Sequence, residues 1–294
     1  MKQKELRFDF GKNWEAFLQT LNDERIAFAE ASLKRALSVE DLRGKTFLDI
    51  GCGSGLFSLA AVRLGARVHS FDYDSHSVAC TATLKRCYFP HDSNWTVERG
   101  SAVDQDYMSS LGTFDVVYSW GVLHHTGNMW QALANVIPLV KKPGGKLFIA
   151  IYNDLGTATE RWRAIKKLYV SSNFSVRWAI LVALFAMIQL KNGASRLLRL
   201  QNPNPLPRWR AYKKNRGMSV WRDHVDWVGG YPYETAKPEQ IFDFYRKHGF
   251  SLEFLQTGGL GCNEFVFSYP QRQSESNSVG LETETLRAET VAHR

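Results

Sequence analysis

Phe47-Leu48-Asp49-Ile50-Gly51-Cys52-Gly53-Ser54-Gly55-Leu56-Phe57 is the stretch from which the rest of this 294-residue chain is read. It begins as a short apolar run, the composition of a strand buried on both faces of a parallel sheet. Three glycines then alternate with small residues, and residues 56–64 carry Leu, Ala and Val at helical spacing. Strand, glycine turn and helix together bring backbone N–H groups and a helix N-terminus against a ligand. Glycine suits the turn because a Cβ would block the ligand's approach and because φ > 0 costs it little.

The next element, residues 66–72, reads as a second strand ending in a carboxylate. Asp72 follows the first glycine by about twenty residues, a separation at which an acidic side chain can accept both hydroxyls of a nucleoside ribose. The glycines follow G-x-G-x-G, without the wider last gap of the dinucleotide fingerprint, which weighs against an NAD-type domain, the competing interpretation. Asp49 sets a second carboxylate beside the turn, as suits a ligand with an ammonium group. The run Leu48-Asp49-Ile50-Gly51-Cys52-Gly53-Ser54-Gly55 resembles the first motif of class I S-adenosylmethionine (SAM) methyltransferases. That resemblance implies an α/β fold: a Rossmann-like, doubly wound, seven-stranded sheet closed by a terminal hairpin. It implies SAM as cofactor, with S-adenosylhomocysteine as product, held by Asp49, Gly51, Gly53, Gly55 and Asp72. By the same resemblance Ser101 and Ala102 line the adenine, Tyr73 packs beside it and Trp120 lies near the methionine portion. Asp104 belongs either at the adenine amino group or in a solvated loop.

Hydrophobic content of 44% and charged content of 22% are those of an ordinary globular chain. The four cysteines form no Cys-x-x-Cys pair, which points to reduced thiols and to neither a disulfide frame nor a zinc site. No metal is expected. The first residues lack the apolar core of a signal peptide, and no apolar run reads as long enough to cross a bilayer. A cytoplasmic protein is expected, with peripheral contact at the inner membrane face as an open alternative. Net charge is +8, but residues 161–222 hold 14 Lys/Arg and no Asp or Glu, leaving the remainder at −6. The basic character belongs to one segment and speaks to partners rather than fold.

The organisation expected is a helical cover over 1–42, a SAM-binding core over 43–154, a basic helical insertion over 155–235, completion of the sheet over 236–270, and a disordered tail over 271–294. Simple packing of the cover is the primary reading; the alternative makes Lys12 and Trp14 a lid over the cofactor. In the core, strands are predicted at 46–50, 67–72, 95–99, 114–119 and 146–152, with helices at 75–86, capped by Ser75, and 128–140. In the insertion an amphipathic helix is predicted at 162–170. An apolar one at 178–190, about thirteen residues and too short to span, is read first as a buried lid helix and otherwise as an interfacial one. A helix at 238–248 and strands at 251–256 and 264–268 complete the pattern.

Chemistry is expected at the strand ends, above all in Tyr118-Ser119-Trp120-Gly121-Val122-Leu123-His124-His125-Thr126. Methyl transfer from a sulfonium needs an aligned nucleophile and, for a hydroxyl, removal of a proton. A histidine is a natural base for that proton. Ubiquinone and menaquinone methyltransferases also carry histidine in this loop, which extends the resemblance. His124 and His125 are the candidate bases, His124 first; capping of the loop is the competing role. A second cluster, Trp221 to Glu234, sets Asp223, His224, Asp226 and Glu234 among aromatics and reads as a substrate pocket with poor metal spacing.

The function expected is SAM-dependent methylation of a small-molecule or lipid-linked acceptor, at oxygen. The alternative is an RNA (tRNA) methyltransferase whose insertion 161–222 tracks phosphates and stacks bases on Trp209, Tyr212 and Trp221. A non-catalytic binding protein on the same fold is a third reading. The acceptor and the oligomeric state are not written in the sequence.

Overall fold

The computed structural model describes residues 7, 8, 14, 18, 21–210, 220–259 and 261–270. Lys12 and the expected tail 271–294 lie outside these. The described chain opens with α1 (Asp23–Leu37), whose N-cap Asn22 accepts from the Arg25 amide. Its buried face, Ile26, Ala29, Leu33, Ala36 and Leu37, follows helical spacing and lies against α2 (Leu56–Arg63). Between them runs β1 (Thr46–Ile50). Next come β2 (Arg67–Asp72), α3 (Ser75–Tyr88), β3 (Trp95–Arg99), α4 (Gln105–Ser110) and β4 (Val116–Trp120). After α5 (Met129–Val136) and β5 (Lys146–Tyr152) the insertion holds α6 (Thr157–Ser171), α7 (Phe174–Leu198) and α8 (Val220–Gly229). The chain closes with α9 (Pro238–Lys247), β6 (Ser251–Gln256) and β7 (Cys262–Ser268).

The strands form one seven-stranded sheet in the order β3-β2-β1-β4-β5-β7-β6. The first five are parallel, and β7 runs antiparallel to both β5 and β6. Strand order reverses between β1 and β4, so the crevice for a ligand opens at their carboxyl ends. Alternate residues serve opposite faces: Phe47 joins Tyr118 and Phe148 under α1 and α2, while Leu48 and Ile50 join Val117, Leu147 and Ile149 under α5 and α9. Asp115 fastens the start of the sheet, accepting from the Thr46 amide and hydroxyl and pairing with Lys141 at 3.0 Å.

Several predicted elements shift. Pro138, which has no amide hydrogen to donate, ends α5 early, and residues 137–139 tighten into a 3₁₀ turn. Asp74, not Ser75, caps α3 by accepting from the His76 amide. Asp104 caps the unpredicted α4, one of its carboxylate oxygens accepting the Tyr107 amide at 3.1 Å. The largest change is α7. Its 25 residues, not about thirteen, are long and apolar enough to cross a membrane by length and composition, correcting the expectation that no run reaches that length. Only 6% of its most apolar window is buried, so the expected buried lid helix is an exposed one.

Candidate active site

β1 ends at Ile50, and the chain turns through Gly51, Gly53 and Gly55 at φ of +76°, +54° and +81° before entering α2. Gly51 and Gly55 are packing glycines: a Cβ on the first would meet Val122 Cγ1 at 2.4 Å, and one on the second Thr81 Cα at 2.9 Å. Gly53 instead faces the Trp14 ring, 3.1 Å from where its Cβ would stand. The amides of Gly51 and Cys52 donate to the Phe71 carbonyl at 2.8 and 3.0 Å, fixing the loop to the end of β2.

Asp72 closes this arrangement. Its two oxygens accept the Gly53 amide at 3.0 Å and the Asp74 amide at 2.9 Å. A carboxylate has about four acceptor sites, so capacity for further donors such as ribose hydroxyls persists. Burial pushes its pKa up to about 6, with those two amides opposing the rise. Asp49, 2% exposed, has one oxygen taken by the Ser58 hydroxyl at 2.5 Å. Ser58 accepts in turn from Ser70, and Ser70 from the Trp95 indole, at 2.8 and 2.9 Å. Burial pushes the Asp49 pKa up to about 7; Ser58 opposes the rise and the Asp72 charge adds to it. Asp49 thus stands behind the glycine loop as its buried support. A loop narrowed by any Cβ at Gly53, beside a half-buried carboxylate with acceptor capacity, fits the adenosine end of SAM.

The other expected cofactor residues gather at the same edge. Tyr73 lies between two cations, Arg7 Cζ 4.4 Å and Arg99 Cζ 5.6 Å from its ring centre. Ser101 is half-buried; Ala102 is buried, its carbonyl taken by the Asn135 amide at 3.0 Å. Trp120 remains 41% exposed, its indole donating to Glu264 at 3.1 Å.

The two histidines separate. His124 is 0% exposed, and its Nδ1 accepts the Tyr152 amide at 3.3 Å while its ring lies 4.1 Å from that of Tyr152. Burial holds its pKa well below the ordinary value. It packs the loop onto β5 with its Nε2 buried and without a hydrogen-bond partner, so His124, the histidine placed first, is the more enclosed of the two. His125 is half-buried, with Nδ1 2.6 Å from the Pro232 carbonyl oxygen. A carbonyl only accepts, so Nδ1 carries the hydrogen and Nε2 the lone pair of the neutral ring. Burial pushes its pKa down to about 3; Pro232 opposes, and the nearby charges of Lys166 and Arg7 lower it further.

Only part of the second cluster lines this region. Tyr152 meets Trp227 and Tyr233 at ring separations of 5.5 and 5.3 Å, and His125 meets Tyr152 at 5.5 Å. Glu234 instead caps α5, both carboxylate oxygens accepting the Met129 amide. His224 joins α8 to α7 through the Leu181 carbonyl at 3.1 Å. Glu234 and His224 thus leave the expected pocket, whereas Asp223 and Asp226 stay near enough to Tyr152 that, beside burial, their charges help to hold its pKa up. Trp209 and Trp221 pack on Phe185 of α7 at 5.8 and 5.2 Å, which turns two of the three proposed base-stacking rings to internal packing; Tyr212 lies outside the described residues. No cluster of metal-binding side chains occurs among the described residues.

Sequence reasoning missed two residues. Arg7 donates to the His125 carbonyl at 2.9 Å, and nothing in its local sequence marks it. Lys166 is fully buried, bonded to the Trp227 carbonyl and lying 4.3 and 4.8 Å from the Trp227 and Tyr233 ring centres. Burial pushes its pKa down to about 7. A lysine in register with Trp162, Tyr169 and Val170 on one helix face was the available signal.

A family model described as a methyltransferase domain matches residues 18–219. Ubiquinone biosynthesis O-methyltransferase of Xanthomonas oryzae pv. oryzae (strain PXO99A) is 32% identical over 136 residues, covering 46% of this chain and 52% of that protein. The enzyme of that name from Caulobacter vibrioides is 28% identical over 169 residues, covering 55% and 62%. The match thus spans about half the length of these curated relatives. Magnesium protoporphyrin IX methyltransferase from Synechocystis PCC 6803, solved with bound SAH, superposes with a TM-score of 0.51 at 13% identity, covering 88% of this chain and 95% of that one. PKMT2 from Rickettsia typhi, solved with AdoHcy, gives 0.54 at 14% identity, covering 83% and 54%. These two likenesses establish the fold, and the family match over 18–219 establishes kinship: the chain belongs to the methyltransferase domain family, on the class I SAM-dependent fold.

Proposed function

We propose that this chain transfers a methyl group from SAM to an oxygen of a small or lipid-linked acceptor with an apolar, aromatic body. The observation that carries the reading is the His125 ring, held by Pro232 at 2.6 Å in the tautomer whose Nε2 carries the lone pair. Bound SAM supplies an electrophilic methyl on a sulfonium. Asp72 would hold its ribose hydroxyls, the Gly53 turn would take the close approach of its backbone-sized portion, and Tyr73 would flank its adenine. His125 would receive the proton of the acceptor hydroxyl as the oxygen attacks. Tyr152, Trp227 and Tyr233 offer rings against which an aromatic acceptor can be oriented. An oxygen acceptor is supported further by the name of the relatives, ubiquinone biosynthesis O-methyltransferase.

Radiolabelled SAM incubated with apolar phenols and catechols tests the reading. Transfer to a hydroxyl, lowered in His125→Gln at unchanged SAM affinity, supports it. Absence of SAM binding by calorimetry, or transfer only to nitrogen or carbon acceptors, overturns it.

A further inference from the structure

We infer that α7 is a docking surface for an anionic lipid bilayer, with the helix lying in the plane of the membrane interface. A helix on a globular domain in water normally turns polar residues outward. On α7 the outward positions are Val176, Ala179, Val182, Ala183, Met187 and Leu190, and Met187 and Leu190 are 56% and 74% exposed. The apolar strip continues to the last residue of the helix, Leu198, 86% exposed, and past it to Leu200. The inward stripe is occupied: Leu181 is buried, its carbonyl bonded to His224, and Phe185 packs on Trp221 of α8.

That occupied stripe argues for lying on the membrane over crossing it. α8 runs beside α7 and carries Arg222, Asp223 and Asp226, which a spanning geometry would carry into hydrocarbon. With α7 in the interface, α8 and the sheet stay on the water side.

Charge selects the occupant. Residues 161–222 contain 14 Lys/Arg and no acidic residue, and Lys191, Arg196 and Arg199 sit at the end of the apolar strip. A second copy of this chain would bring two acid-free segments together, a like-charge contact. An anionic lipid surface complements them, each basic residue near it adding attraction that salt screens. The inference goes beyond the proposed chemistry and stands on the insertion alone.

Full-length protein is co-sedimented with phosphatidylcholine vesicles with and without phosphatidylglycerol, at low and raised salt. Wild type is expected to sediment with the anionic vesicles and to be released by salt. Met187→Glu/Leu190→Glu and Lys191→Glu/Arg199→Glu should each weaken partitioning by about tenfold or more. Circular dichroism and thermal unfolding establish that the variants fold, and SAM affinity measured on the same samples registers a failure of the cofactor site separately. The inference is overturned if wild type sediments with neither vesicle, or binds both equally regardless of the charge reversals. It is equally overturned if transfer RNA captures the protein from the vesicles, or if the variants only dissolve a dimer in ultracentrifugation.

Discussion

His125 Nδ1 lies 2.6 Å from the carbonyl oxygen of Pro232, so the loop after β4 is oriented by the segment that closes the insertion. The bond fixes which nitrogen carries the hydrogen, and burial pushes the ring's pKa down to about 3. The imidazole is therefore neutral throughout the ordinary pH range. A pKa of about 3 makes the ring a weak base, so His125→Gln should lower kcat by less than the roughly 10²- to 10⁴-fold of a base tuned to the operating pH. At saturating SAM, wild-type kcat should show no inflection near 6.5, the ordinary histidine value. A clear inflection there, abolished by His125→Gln, would contradict the burial on which this argument rests.

His124 predicts the opposite division of effects. It is fully buried and accepts the Tyr152 amide, so His124→Ala leaves a void and an unpaired backbone donor. The expected loss is about 2–4 kcal/mol of unfolding free energy, read as a lower urea midpoint. His124→Asn, which retains an acceptor, should recover part of it. A stable His124→Ala enzyme with normal Tm and abolished turnover would return His124 to the chemistry.

Asp49 and Asp72 both titrate upward, to about 7 and about 6, chiefly because burial disfavours their charged forms. For a carboxyl whose folded pKa exceeds its unfolded value, the native state binds the extra proton, so stability is greatest below the unfolded value near 3.8 and declines as pH rises through the folded one. Asp49→Asn retains an acceptor for Ser58 and removes that decline. It should unfold at a higher temperature than wild type above pH 7, by an increment of up to about 4 kcal/mol for a rise of about three units, and match wild type near pH 4. Asp72 has a second consequence. Ribose hydroxyls are accepted best by its ionised form, so SAM affinity should rise with pH through about 6. Asp72→Asn should weaken SAM at least tenfold, since hydrogen bonds to a charged group contribute about 1.5–3 kcal/mol, and should flatten that rise. Thermal scans and calorimetry at several pH values check both.

These residues were unequally legible. The glycine turn and Asp72 could be read directly, because φ > 0 at Gly51, Gly53 and Gly55 and the reach from one strand end to the next are local requirements written in composition and spacing. The choice between His124 and His125 depends on the direction in which a tight turn projects adjacent side chains, and β5, far along the chain, decides it through the Tyr152 amide. Glu234 looked like a pocket carboxylate because its partner, the Met129 amide, is 105 residues away. The exposure of α7 was equally hidden, since a run of Leu, Ala, Val and Phe is the same whether protein or another apolar phase covers it. Arg7 had no signal at all; its contact with Tyr73 is visible only once the chain is folded and Arg7 lies over that ring.

That segment leads to the last prediction. Phe8 donates its amide to the Tyr231 carbonyl at 3.0 Å and packs on Gly229, where a Cβ would meet its ring at 2.2 Å. Trp14 lies on Gly53, and Arg7 lies on Tyr73. The N-terminal residues thus touch both the cofactor loop and the insertion, which supports the lid alternative for Trp14. Gly53→Ala should be costly twice over: its φ of +54° disfavours any side chain, and its Cβ meets the indole at 3.1 Å. Trp14→Ala removes only the second cost. The two substitutions should therefore couple, the double variant losing less SAM affinity than the sum of the singles by about 0.5–2 kcal/mol, the range for residues in contact. Trp14→Ala alone should act mainly on SAM dissociation, because an overlying ring slows escape more than entry. Stopped-flow release of SAM from the four proteins measures both quantities. Strict additivity, with an unchanged dissociation rate in Trp14→Ala, would leave Trp14 as simple packing on the loop.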